Sequence, residues 1–185
     1  MLFCTNLWKK EGKMKTLELL KFLQSKIGGE LDFKAAAVTE RWKIDVPRLL
    51  VEIQDEHVRF EIKNKTELFI NVYTVPPHLL KIYHENFVTK LLDKVHLHSE
   101  IKIGDKEFDD EYVIEFTTPE IAQKTMTAEF KKSVLNLEPF KIFQMTKRDY
   151  TLLKDINKNY DVDAAVNDIE NMVKIAKICG EVWEE

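Results

Sequence analysis

Two hydrophobic periods alternate along the chain. Leu17, Leu20, Leu23 and Ile27, with Leu19 beside them, recur at helical spacing, and Gly28-Gly29 follows with residues that tolerate left-handed dihedrals. That pattern predicts a helix over about 15–28. The period then shortens to two. Phe33 to Val46 reads as an extended run centred on Trp42 and interrupted at Pro47. Leu49, Val51 and Ile53 alternate with Leu50 and Glu52. Val58, Phe60 and Ile62 alternate with His57, Arg59, Glu61 and Lys63, a strand with one wet face. Leu68 to Val75 is a fourth strand. Turn-forming residues at Gln54-Asp55-Glu56 and Asn64-Lys65-Thr66 separate these runs, so an antiparallel meander is expected rather than crossover helices.

Pro76-Pro77 ends the meander. Leu79, Leu80, Tyr83, Phe87, Leu91 and Leu92 then predict a helix over about 78–93, and Val95 to Ile103 a strand. Gly104 to Glu111 reads as an acidic turn with one apolar residue, Phe108, expected to be buried. Tyr112 to Phe116 returns as a strand. Thr117 and Glu120 have capping-box spacing, and Thr127 opens a second start, so 119–137 is one bent helix or two short ones. Phe140 to Met145 and Tyr150 to Ile156 are the last strands. Asp161 or Asp163 caps a final helix whose stripe is Val162, Ala165, Val166, Ile169, Val173 and Ala176. The elements add up to an α+β fold, with an antiparallel sheet of about six to eight strands and helices packed on one face. Residues 14–185 are expected to form a single domain, with 1–13 a flexible arm or Met14 the natural start.

Composition narrows the class. With 44% hydrophobic and 32% charged residues and only five Gly and five Pro, the 185-residue chain is globular rather than disordered. A net charge of −4 argues against a dedicated nucleic-acid binder. Cys4 and Cys179 are too far apart in sequence for a disulfide framework or a metal knuckle, and Cys179 falls in a helical apolar pattern. No run approaches the roughly 18 apolar residues of a membrane span. Lys9 and Lys10 follow the N-terminal apolar run, the reverse of a secretory signal, so a cytoplasmic protein is expected.

Gly104-Asp105, Phe108-Asp109, Tyr112, Pro119, Ala122, Thr127, Glu129 and Leu137 follow a recurrent layout: a Gly-Asp turn, Phe-Asp, an aromatic strand start, and a Thr-x-Glu helix ending in leucine. Over residues 104–137 this resembles a widespread prokaryotic family of uncharacterised proteins, some of which carry membrane segments. Tyr112 stands where that family has Phe. The resemblance implies a fold relationship and no activity.

Candidate chemistry is sparse. Asp105, Glu107 and Asp109 alternate like the first ligands of a calcium loop, but Asp110 and Phe116 occupy the positions that need Gly and Glu. His96 and His98 would share one strand face and are the candidate metal ligands. With Glu100, and with His84 or His78 approaching from the preceding helix, they would make a metal-dependent hydrolase around the 105–110 acidic turn. Strand alternation explains the same two histidines as a solvated face. Lys131-Lys132, Lys141, Lys147-Arg148 and Lys154, interleaved with Phe143 and Tyr150, sketch a weak single-strand platform. No phosphate loop, nucleophile elbow or dinucleotide fingerprint occurs, so no cofactor is expected. The favoured reading is a non-catalytic domain binding a protein or small molecule at a sheet face or a sheet–helix groove, with the hydrolase as the alternative.

Overall fold

A computed structural model of the chain describes residues 16–39, 42–63, 66–84, 101–156 and 160–184, with the backbone alone in 34–39, 42–45 and 184. Helix α1 covers 16–27. Strands β1 (Glu30–Thr39), β2 (Trp42–Ile53), β3 (Glu56–Lys63) and β4 (Glu67–Val72) form the expected meander. Next come β5 (Leu80–His84), α2 (Lys106–Glu111), β6 (Tyr112–Phe116), α3 (Pro119–Thr125), α4 (Ala128–Leu135), β7 (Ile142–Met145), β8 (Tyr150–Asp155) and α5 (Val162–Glu184). The eight strands make one antiparallel sheet in the order β1-β2-β3-β4-β8-β7-β5-β6.

Register turns the alternation of each strand into rows that cross the sheet. Leu49, Phe60, Ile70, Leu152, Phe143, Ile82 and Ile114 lie opposite one another in turn, and all seven are fully buried. A second row runs from Val51 through Val58, Val72, Tyr150, Met145 and Leu80 to Phe116. The helices cover this face. From α5, Ile169, Met172, Val173 and Ala176 enter the core, and Leu20 and Leu23 of α1 join them. Lys26 of α1 pairs with Asp163 at the start of α5. Phe130 of α4 meets Phe143 edge-on with ring centroids 6.0 Å apart.

Five expectations are corrected. Residues 80–84 are not helical. Leu79, Leu80 and Tyr83 fit both periods, but Leu80–His84 is paired on both sides, by β6 and β7, and tertiary pairing overrides the local stripe. His78 and Leu79 are not helical either, while 85–93 of the expected helix and 95–100 of the expected strand lie outside the described residues. Ile101–Ile103 is not strand, although Ile101 N–H donates to the Ile114 carbonyl at 2.9 Å. The acidic turn contains a helical turn, α2, capped by Asp105. Thr118 rather than Thr117 caps α3, and 119–137 is two helices. The expected 33–46 run is not one strand ending at Pro47: it divides between β1, which ends at Thr39, and β2, which starts at Trp42, and its two halves pair with each other, while Pro47 sits inside β2, one residue before pairing with β3 begins at Arg48, where a missing N–H is tolerated.

Gly28 and Gly29 join α1 to β1 with φ of 80° and 95°. A Cβ on Gly29 would lie 2.4 Å from the Leu50 carbonyl oxygen and 2.9 Å from Val51 Cβ, whereas one on Gly28 meets nothing within 4 Å. Gly29→Ala combines strain with a clash against sheet backbone and is expected to cost about 2–3 kcal/mol in urea unfolding. Gly28→Ala, strained only in φ, should cost less.

Candidate functional site

The face of the sheet opposite the helices is built from the other half of each alternation. Glu61, Phe69, Leu153, Ile142, Tyr83 and Val113 form one cross-strand row. Beside it run Arg59, Asn71, Thr151, Gln144, Lys81 and Glu115. Among the described residues no helix covers this face. Phe69, Leu153, Ile142 and Val113 are half-buried there, and Tyr83 is buried.

Polar groups on this face are tied to one another. Arg59 donates to Asn71 Oδ1 at 2.8 Å, and Asn71 Nδ2 donates to Thr151 Oγ1 at 2.8 Å and Asp149 Oδ2 at 3.1 Å. Glu61 lies between Arg59 and Lys63, at 3.7 and 3.6 Å. Tyr83 donates its hydroxyl to Glu115 at 2.6 Å. Lys141 meets Asp155 at 2.7 Å and Glu67 at 3.3 Å, and these carboxylates hold it above its ordinary value. Cations sit over rings: Lys63 lies 4.0 Å from the Phe69 centroid and Lys81 4.7 Å from that of Tyr83. The result is an aromatic and aliphatic row framed by self-neutralised charge.

A second cluster lies at the end of β5. His84 Nε2 is 3.1 and 3.2 Å from the two Glu138 oxygens, Tyr112 donates to Glu138 at 2.6 Å, and the Phe140 N–H donates at 3.3 Å. Glu111 stands 3.9 Å from His84 Nδ1. The imidazole contacts the rings of Tyr112 and Phe140, at 4.7 and 5.7 Å between centroids. Burial first, and Glu138 second, push the Tyr112 phenol far above its usual range, so it stays a donor. Glu138 thus gathers three donors and ties the α4–β7 loop to the β5–β6 edge. Sequence spacing did not reveal this trio, since Glu138 is distant from both partners in the chain.

The acidic turn is consumed by its own backbone. Asp109 accepts from the Ile103 and Gly104 N–H groups at 3.0 and 2.9 Å, and Lys102 donates to the Asp109 carbonyl. Asp105 accepts from the Phe108 N–H and pairs with Lys131 of α4. Lys131, then Phe108, lowers the Asp105 carboxyl below its usual range. Stability from that link is therefore present above the ordinary carboxylate range and lost as pH falls through the lowered value. Phe108 is buried, with its ring 4.6 Å from that of Tyr112.

His96 and His98 lie outside the described residues. His78 does not join His84 but packs edge-on against Trp183 at 4.1 Å, with burial first and Lys124 second lowering its pKa. Among the described residues no group of three or more His, Cys, Asp or Glu side chains is arranged to hold a metal ion. The single-strand platform does not form, because Phe143, Tyr150 and Lys154 are buried and Lys141 is held by carboxylates. Cys179 is buried and free, its thiol pushed up to about 12 by burial, which makes it unreactive.

No family model matches the chain, and no curated protein matches it significantly. Its fold is similar to the crystal structure of the mycobacterial trehalose monomycolate transport factor A, TtfA, with a TM-score of 0.60 and 11% identity over 87% of this chain and 92% of that one. At that identity the likeness concerns the α+β fold. No helix among the described residues is long and apolar enough to cross a membrane.

Proposed function

We propose that the chain is a non-catalytic binding domain, acting in the cytoplasm, whose working surface is the helix-free sheet face and whose occupant is a protein. One observation carries this reading: the row Phe69–Leu153–Ile142–Tyr83–Val113 crosses five adjacent strands on the face that no helix among the described residues covers. Five strands span roughly 19 Å. A row that broad on a sheet suits a protein patch, whereas small ligands need concavity. Aromatic anchors inside a charged rim are the usual make-up of such patches. The family resemblance over 104–137 fits a shared fold, since Asp105, Phe108, Asp109 and Thr127 have capping and packing roles. TtfA supplies a fold precedent, and nothing about the partner is taken from it.

The test is photo-cross-linking in the cells the protein comes from, with a benzophenone amino acid at Ile142, at Leu153, or at the exposed Glu170 on α5. A discrete adduct from 142 and 153, absent from 170 and lost in Phe69→Ser, is expected. Equal adducts from both faces, or none from 142 and 153, contradict the proposal.

A further inference from the structure

The loop from β4 to β5 is fastened at both ends, by different physics. Strands β8 and β7 lie between β4 and β5 in the sheet, so residues 73–79 pass two strand ends. At the start, the Tyr73 N–H donates to the His57 carbonyl at 2.9 Å, and Thr74 donates to Glu56. At the finish, His78 meets Trp183 of α5 edge-on, with ring centroids 4.1 Å apart and planes inclined by 69°. Lys124, in the last turn of α3, lies 4.1 Å from the centroid of the same indole. His78 Nε2 and Trp183 Nε1 are both buried and find no hydrogen-bond partner among the described residues. The second fastening is therefore ring packing without a polar link. It joins the loop, α3 and α5 at one indole.

We infer that this cluster is an acid-sensitive latch: protonation of His78 releases the far end of the β4–β5 loop and the last turn of α5. A neutral imidazole fits the site, because a ring carrying its proton on Nδ1 leaves only a lone pair at the buried Nε2. An imidazolium does not fit. Its charge would share one indole with the Lys124 ammonium, and its buried Nε2–H would meet no acceptor among the described residues. The charged neighbours set the sign. From α3 the group acting on His78 is Lys124, and from α5 it is faced by the uncharged indole. Glu184 and Glu185 follow Trp183 in the chain, and their side chains lie outside the described residues. Burial first and Lys124 second hold His78 below the ordinary histidine value. In the open form, with His78 in water, the ring takes up its proton at the ordinary value. The latch is thus closed above that value and is lost as pH falls through the lowered one. The same loop carries the exposed Tyr73 and Val75, so release frees two apolar side chains to move. The inference is independent of what binds the helix-free face.

Fluorine NMR of the full chain labelled with fluorotryptophan is the measurement, with Trp183→Phe assigning the Trp183 resonance. Release is read from the difference between its shifts in H2O and D2O, which grows when the indole meets water. On titration from mildly alkaline to mildly acidic pH, that difference should rise in one step, with a midpoint below the ordinary histidine value. His78→Phe keeps a ring against the indole and cannot titrate, so it should abolish the step. Lys124→Met removes the second cation and should move the midpoint up, toward the ordinary value. If His78→Phe does not fold, the Lys124→Met shift decides. A Trp183 resonance that gains no exposure on acidification overturns the inference. So does the same step in His78→Phe, or a midpoint that Lys124→Met leaves in place. A midpoint above the ordinary value, as pairing of His78 with Glu184 or Glu185 would give, overturns it as well.

Discussion

Asp168→Ala is expected to destabilise the protein by about 3–5 kcal/mol, because it strands a buried ammonium. Lys154 occupies a core-facing position of β8, in the row of Ile62 and Leu68. Its side chain is 5% exposed and that of Asp168 3%. Its Nζ donates to both Asp168 oxygens and to the Leu137 carbonyl, each at 2.9 Å, and Tyr160 donates to Asp168 at 2.7 Å. Burial raises the Asp168 carboxyl, while Tyr160 and Lys154 pull it back. The cluster thus pins α5 and the α4–β7 loop to β8, with every lysine proton placed. Truncating Asp168 removes two of the three acceptors and leaves the Tyr160 hydroxyl without this partner. The double variant Lys154→Met/Asp168→Leu removes both charges and should recover most of the loss. Urea midpoints of the three proteins measure this, and a single-variant midpoint equal to wild type would refute the pinning role.

Phe108→Ala should cost a similar amount, about 3–5 kcal/mol, through loss of a large buried aromatic. Phe108 is 4% exposed and belongs to the main core, although it lies in the acidic α2 segment. Its ring supports Tyr112, whose hydroxyl holds Glu138, so the loss should also loosen the His84 cluster. Asp109→Ala, which removes the cap on Ile103 and Gly104, should cost about 1 kcal/mol. A Phe108→Ala protein that melts with wild type would show that the turn is not anchored.

Legibility tracked how local the determining physics is. The meander was readable because Val58-Phe60-Ile62 and its neighbours alternate cleanly between two-residue-scale turns, and Gln54-Asp55 indeed closes β2–β3 with two positive φ values. The helix-on-one-face fold followed from the same alternation. The 80–84 strand was missed because its partners, β6 and β7, come later in the chain and nothing local distinguishes it from a helix. The buried Lys154 read as surface charge although alternation with Tyr150 and Leu152 puts it on the core face, because the partner that lets a lysine stay there, Asp168, comes from α5. Glu138 gave no signal because its donors, His84 and Tyr112, reach it from elsewhere in the fold. The working face was legible as alternation on single strands, but the apolar row emerged only once the strand order brought Phe69, Leu153, Ile142 and Tyr83 side by side.

Cysteine accessibility tests the central claim, an open sheet face opposite the helices, most directly. Single cysteines at Phe69, Leu153, Ile142 and Val113, and at their core-row counterparts Phe60, Leu152, Phe143 and Ile114, would be placed in a Cys4→Ser background and exposed to a maleimide under native conditions. Cys179 is buried and should stay unlabelled. Labelling at the first four positions with protection at the second four is the predicted result. Protection of both rows alike would mean that the helix-free face is covered in the folded protein, and the docking surface proposed here would not exist.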